Sequence, residues 1–273
     1  MDKGLTFTVL GARGSWPVSD QEMMVHGGRT TSFMIVLDNA VTVIFDAGTG
    51  VSRVDDMDTA AAQEYHVLLT HYHLDHIQGL QFFKPLYRAA NSFTFYGAPP
   101  GDMSLEDAIG GIFRAPWFPI PLADTLSHKR FVEIDAAPIE IGPLRISTGE
   151  LTHPQGAISY RIEGPRATVV IATDHEAGHT DVDDALVDFA RGADYLFHDA
   201  QYTPQEHLEL YQGWGHSTWQ DAARIAMRAE VGQLILTSHD PSRTDADVTR
   251  LIEHTVAVFP STVAACEGLQ LPI

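Results

Sequence analysis

The chain has 273 residues, 44% of them hydrophobic, and carries 36 acidic against 17 basic side chains for a formal charge of −19. With a mean hydropathy of −0.06 it is neither disordered nor membranous, and it lies near the upper size limit for one hydrophobic core. Long polyanions should be repelled by this charge, and no run of Lys or Arg offers a local exception, so neither structured nucleic acid nor a membrane is expected as a partner.

Met1-Asp2-Lys3-Gly4 leads straight into Leu5-Thr6-Phe7-Thr8-Val9-Leu10, whose alternation predicts a strand. A start without a charged leader, a long apolar core or a cleavage site argues against secretion, so a cytoplasmic chain is expected. The single Cys266 excludes an intrachain disulfide. Gly11-Ala12-Arg13-Gly14-Ser15 follows as a turn, equally an anion cradle or a bland tight bend, because no phosphate fingerprint is completed. Gly27-Gly28-Arg29-Thr30-Thr31-Ser32 is a second turn. Residues 33–37 and 41–45 read as a hairpin around Asp38-Asn39, closed by Asp46-Ala47-Gly48-Thr49-Gly50.

Val67-Leu68-Leu69 then runs into Thr70-His71-Tyr72-His73-Leu74-Asp75-His76. Three imidazoles and one carboxylate fall within six consecutive positions, a density that few structural needs call for. Ligands at i and i+2 just beyond a strand end can turn towards one point, and the next pair can face a second point beside it, which suits two metals better than one. Imidazole and carboxylate without thiolate suit Zn²⁺, with Mn²⁺ or Fe²⁺ as alternatives.

Residues 98–121 differ in texture. Pro99-Pro100-Gly101 precedes a helix start at Ser104-Leu105-Glu106-Asp107, and Arg114-Ala115-Pro116-Trp117-Phe118-Pro119-Ile120-Pro121 can be neither regular helix nor central strand. This segment is expected as an ordered loop, either surface packing or a lid whose Trp117 or Phe118 lines a substrate pocket. Further on, three more apolar stretches end in His or Asp: residues 168–171 before Asp174, 195–197 before His198-Asp199, and 234–236 before His239. Sheets of α/β proteins place their sites at such strand ends. Residues 181–191, 217–229 and 244–258 carry helical spacing, with Ser217 or Thr218 as a cap for the second.

Thr70 to His76 resembles the H-x-H-x-D-H signature of the metallo-β-lactamase-fold hydrolases, and His153, Asp174 and His239 follow in that superfamily's order. The resemblance spans nearly the whole chain and implies a single α/β domain over 1–273, a four-layer αββα sandwich with a dinuclear site on one edge of its sheets. It implies one metal on His71, His73 and His153, the other on Asp75, His76 and His239, and Asp174 bridging them. Gly215-His216-Ser217-Thr218 and the stretch ending at His239 further resemble the tRNA 3′-processing endonucleases (RNase Z) and their smaller phosphodiesterase relatives, which implies that His216 assists phosphodiester cleavage. His198 and Asp199 are expected to support a ligand by hydrogen bonding rather than to touch metal. Arg29 stands where the family's loop has Asn, and either holds a substrate phosphate or pairs with an acid.

The expected activity is therefore metal-assisted hydrolysis of a phosphodiester, with Asp75 orienting the attacking water or taking its proton and His216 donating to the phosphoryl or leaving oxygen. No lysine-rich arm for gripping tRNA is present, so a small anionic substrate, a cyclic or linear nucleotide or another compact diester, is favoured. A homodimer is the arrangement in which a partner surface supplies a missing basic patch. The alternatives are hydrolysis of a lactone, thioester or other carbonyl substrate, which leaves His216 without a task, and a binding or regulatory protein that keeps the fold without turnover.

Overall fold

Alternating apolar residues divide each central strand between two faces, and the computed structural model shows what each face meets. It describes residues 4–37, 40–57 and 62–273, so the expected turn at Asp38-Asn39 lies outside the described residues. One seven-stranded sheet has the order β14-β1-β2-β3-β4-β5-β6 and a second the order β13-β12-β11-β10-β9-β8-β7. The first comprises β1 (Thr6–Gly11), β2 (Ser32–Val36), β3 (Val41–Phe45), β4 (Glu64–Leu68), β5 (Ser92–Gly97), β6 (His128–Glu133) and β14 (Gln270–Pro272). The second comprises β7 (Ile139–Ile141), β8 (Leu144–Leu151), β9 (Ala157–Glu163), β10 (Thr168–Ala172), β11 (Tyr195–Asp199), β12 (Gln233–Thr237) and β13 (Thr262–Ala264).

Each sheet is antiparallel over one half and parallel over the other: β3 to β6 run parallel in one, β10 to β13 in the other. The inward faces share one core, in which Phe7, Phe33, Phe45 and Leu68 meet Tyr160, Ile171, Phe197 and Ile235. The outward faces are covered by helices. On the first sheet Ile44, Val67 and Phe95 pack under α1 (Leu74–Ile77) and α2 (Leu105–Gly110). On the second, Val170, Leu196 and Leu236 pack under α3 (Thr180–Ala190), α5 (Trp219–Ala229) and α6 (Asp245–Val256). A three-residue helix α4 (Pro204–Glu206) runs into a π-helical turn at His207–Tyr211. This is the αββα sandwich, with the parallel strand ends of both sheets opening on one edge.

The expected helices are present, and three of the four starts have a polar cap: Ser104 for α2, Thr218 for α5 and Thr244 for α6 accept from the third backbone N–H of their helices, whereas His179 makes no side-chain cap for α3. Among the described residues no helix is long and apolar enough to cross a membrane.

Candidate active site

The site is built from residues that sit just past strand ends. β3 hands over to Asp46, β4 leads to His71, and β10 is followed by Asp174, while Asp199 is the last residue of β11. Asp46, Asp174 and Ser238, the residue after β12, all take left-handed backbone conformations, with φ of 54°, 56° and 56°. Each such non-glycine turn costs on the order of 1–2 kcal/mol, so the fold spends stability to aim these side chains inward. Short α1, with His73 as its N-terminal flanking residue, places Asp75 and His76 beside them in the interior.

Four imidazoles converge, and the partner of each outer nitrogen settles which nitrogen keeps a free lone pair. His76 Nδ1 donates to Asp46 Oδ2 at 2.8 Å, His71 Nδ1 to Thr70 Oγ1 at 3.1 Å, and His153 Nδ1 to the Gly215 carbonyl at 2.8 Å. His73 Nε2 donates to Gln155 Oε1 at 2.8 Å. The remaining nitrogens therefore point lone pairs inward. His73 Nδ1 and His153 Nε2 face each other at 3.0 Å, and the Nε2 atoms of His71 and His76 are buried with no hydrogen-bond partner. Asp174 Oδ2 lies 3.2 Å from His76 Nε2, 3.5 Å from His71 Nε2 and 3.8 Å from His153 Nε2, and Asp75 Oδ2 lies 3.3 Å from His76 Nε2. Lone pairs collected without donors between them repel unless a cation lies among them, so this donor set fits divalent metal. His71, His73 and His153 form one ligand group, and His71, His76 and Asp174 a second.

Charge supports the same conclusion. Asp46, Asp75, Asp174 and Asp199 are all buried, and stacking four carboxylates in an interior is prohibitive without positive charge. Against the desolvation that burial imposes, Asp174, Asp75 and Asp46 push the His76 pKa well above its ordinary value, so with no cation bound a proton on Nε2 takes the place that a metal would fill. His71, where desolvation dominates and His76 adds repulsion, is pushed well below. Asp174 is likewise held far below the usual carboxylate range, because His76 and His216 outweigh its own desolvation.

Beside the metal-ligand cluster stands a second arrangement. His216 Nδ1 donates to Asp199 Oδ2 at 2.7 Å, and Asp199 also accepts from the backbone N–H groups of Ser217 at 3.0 Å, Gln201 at 3.1 Å and Asp174 at 3.2 Å. Asp174, Asp199 and His216 bring ligand-type atoms within 4.8 Å of one another. Although burial opposes it, Asp199 and Asp174 raise the His216 pKa to about 9. Gly215 is the residue that lets this happen: its φ is 90°, and a Cβ there would sit 2.2 Å from His153 Nδ1.

Several expected residues lie elsewhere. His239 does not join the cluster: its Nε2 donates to the Ala265 carbonyl at 2.9 Å and its ring packs on His26 at 5.4 Å, while Ser238 Oγ faces Asp174 Oδ1 at 3.4 Å. His239, expected as a ligand, thus has its Nε2 on a backbone carbonyl, and the left-handed backbone of Ser238 turns the serine hydroxyl towards Asp174 instead. Asp199 does support the centre, but His198 points to the other side of its sheet, against His175, and burial lowers its pKa to about 4. Phe118 is a core residue wedged against Phe82 and Phe113, and exposed Trp117 stacks under Arg114, so neither lines the 100 Å³ cavity at His71 and His73; Pro100 of the same segment does. Arg29 is tied to Glu267 at 2.6 Å, which is the pairing with an acid rather than a phosphate contact.

Residues unforeseen from the sequence complete the site. Ser15 donates its backbone N–H to Asp75 Oδ2 at 2.7 Å, which gives the Gly11–Ser15 turn a positioning task. Asp46 carried the same signal as the other ligands, an acid directly after an apolar strand. Glu176 accepts from the N–H groups of Gly213 and Gly215, both at 2.7 Å, and from His207 at 3.1 Å, and no local pattern marks it.

A histidine–carboxylate cluster on the edge of an αββα sandwich defines a metal-dependent hydrolase. The chain belongs to the β-lactamase superfamily: the model of the beta-lactamase superfamily domain matches residues 41–239. It is 26% identical to a protein named Ribonuclease Z from Methanopyrus kandleri, over 100% of this chain and 99% of the relative. It shares its fold with the metallo-beta-lactamase fold protein YhfI from Bacillus subtilis, at 22% identity, a TM-score of 0.71 and coverage of 98% and 99%. A diphosphatase from the PhnP family matches at 19% identity, a TM-score of 0.71 and 98% of both chains. Within the superfamily the chain is thus similar to proteins named Ribonuclease Z.

Proposed function

We propose that this protein hydrolyses a compact phosphodiester, a small nucleotide or similar diester, using two divalent cations with zinc as the default and manganese or iron as alternatives. The observation that carries the reading is the Asp199–His216 pair, buried beside the ligand cluster and held there by a 2.7 Å hydrogen bond. Carbonyl hydrolysis leaves that pair without a task, whereas a diester with a poor alkoxide leaving group needs a proton donor.

His71, His73, His153, Asp174, Asp75 and His76 would hold the cations. When bound, these supply Lewis acidity and neutralise charge on the phosphoryl oxygens. Asp75, fixed by the Ser15 N–H, is placed to take a proton from the attacking water as the new P–O bond forms. His216, with its Nδ1–H on Asp199 Oδ2, gives its Nε2 proton to the departing oxygen as the old P–O bond breaks. Asp199, which accepts from Nδ1–H, orients the imidazolium so that its Nε2–H is the proton available for this transfer.

Substrate size is argued from charge. A net charge of −19 disfavours a long phosphate backbone unless a local basic patch offsets it, and the diphosphatase of similar fold is consistent with a small phosphate-containing substrate. The curated relatives named Ribonuclease Z favour RNA instead, so the experiment compares both. Purified protein is given bis-p-nitrophenyl phosphate, cyclic and linear dinucleotides, a tRNA precursor, a lactone and a thioester. Faster turnover of the small diesters than of every other substrate is expected. Site-specific cleavage of the tRNA precursor at the rate of the small diester overturns the size assignment, and preference for the lactone or thioester overturns the reaction class.

A further inference from the structure

A row of aromatic rings starts at His216 and ends in solvent. The ring of buried Tyr202 meets His216 edge-on, with centroids 5.8 Å apart, and lies flat on Tyr211 at 4.3 Å and an interplanar angle of 11°. Trp214 stands against Tyr211 at 5.4 Å and 74° and is 60% exposed. Its backbone is held on both sides, because the N–H groups of Gly213 and Gly215 each bond Glu176 at 2.7 Å. Tyr211 is the last residue of the π-helical turn into which α4 runs, and Thr203 and Glu206 cap α4 reciprocally. A tryptophan exposed singly on a surface needs no explanation. One pinned through both neighbours, and joined by packed rings to the side chain proposed as proton donor, offers a fixed aromatic face beside the site.

Charge limits what this rim can hold. Arg243, a basic side chain bonded to this segment, is already taken by Glu206 and the Gln201 carbonyl, and the chain as a whole carries −19. Apart from its phosphate, a substrate here is gripped by contacts that need no cation, and stacking on an aromatic side chain is such a contact. We propose that Trp214, backed by Tyr211, is the stacking platform for a nucleobase of the substrate, so that the diester cleaved beside His216 is a nucleotide and not an aliphatic phosphodiester. The proposal rests on the phosphodiester reading of the site and narrows its substrate class. Every base has a π face, so the platform favours nucleotides over sugar phosphates without choosing strongly among bases. Stacking of one base corresponds to about 5–150-fold in affinity.

Zinc-loaded protein is titrated in a calorimeter with adenosine 5′-monophosphate, uridine 5′-monophosphate and ribose 5-phosphate, and turnover of bis-p-nitrophenyl phosphate is followed separately. A monoester carries one phosphate and one nucleoside, so its base reaches whichever side offers a platform. Both nucleotides should bind more tightly than ribose 5-phosphate, by about 5–150-fold. Trp214→Ala should remove most of that margin at unchanged zinc content and ribose 5-phosphate affinity, and Trp214→Phe should keep most of it. Trp117→Ala, which removes another exposed tryptophan, one packed on Arg114, should keep all of it. Equal binding of the three probes by the unaltered protein, an equal loss of all three in Trp214→Ala, or loss of the margin in Trp117→Ala overturns the proposal. So does dissociation of an oligomer in Trp214→Ala, which would make this face a contact between protein copies. A nucleotide margin that depends on Trp214 without any diester turnover keeps the platform and overturns the reaction class; diester turnover without the margin does the reverse.

Discussion

Glu176 ties the loop that carries His216 to His153, one of the proposed metal ligands, and removing its carboxylate should loosen both at once. It accepts two backbone N–H bonds at 2.7 Å, from Gly213 and Gly215, and a third bond from His207. Those donors hold its pKa below the usual value despite desolvation. Gly215 in turn gives its carbonyl to His153 Nδ1 and leads directly into His216. Hydrogen bonds to a charged group contribute about 1.5–3 kcal/mol each, and at this half-buried position water recovers part of that, so the loop should lose about 2–4 kcal/mol of local stability. For Glu176→Ala, zinc affinity should fall about 10–100-fold, the range for lost support behind a ligand, and kcat for a small diester should fall with it. Glu176→Gln keeps one acceptor oxygen and should lie between the two. The assay is chelator competition for zinc together with steady-state kinetics at saturating metal, with a thermal melt as control. Unchanged zinc affinity and kcat in Glu176→Ala would show that the loop is held by other contacts and refute the reasoning.

His73→Ala or Asp174→Ala should reduce bound metal together with activity, by elemental analysis of protein purified without chelator; full metal content in either variant removes that residue from the ligand set. Asp183 has its pKa lowered to about 2 because bonds from His175, Arg224 and the Gly178 N–H outweigh desolvation. A depressed carboxylate stabilises the fold above its unfolded value and loses that contribution as pH falls from about 4 to about 2. With half-exposed Arg224 discounted for screening, the contribution is about 1–2 kcal/mol, and Asp183→Asn should flatten the acid limb of urea denaturation by that much. His198 is buried neutral with a pKa of about 4; its unfolded form protonates first, so stability should fall as pH drops from about 6.5 towards 4, and His198→Leu should weaken that slope.

Much of the candidate site was legible because histidines and aspartates clustered at strand ends leave a dense local mark, as Thr70 to His76 do. The sandwich was legible through the family order of His153 and Asp174 and through capped helices such as α5. What escaped depends on orientation or on long-range packing. Ser238 follows the last residue of β12 in a left-handed backbone conformation that no local pattern announces, and this turn brings the serine hydroxyl to Asp174 while His239 meets Ala265. Phe118 looked like a lid residue because nothing local announces that Phe82 and Phe113 close over it. Glu176 is an ordinary acid in the sequence and gains its task only when a loop 37 positions later folds back on it.

His216→Ala separates the role proposed for His216, proton donation in phosphodiester cleavage, from metal ligation. General acid catalysis is typically worth about 10²–10⁴-fold, so kcat on an alkyl phosphodiester should fall by that factor at unchanged zinc content. The loss should be much smaller on bis-p-nitrophenyl phosphate, whose leaving group departs without a proton. Equal losses on both diesters, a lost metal ion, or full activity on the alkyl diester would contradict it.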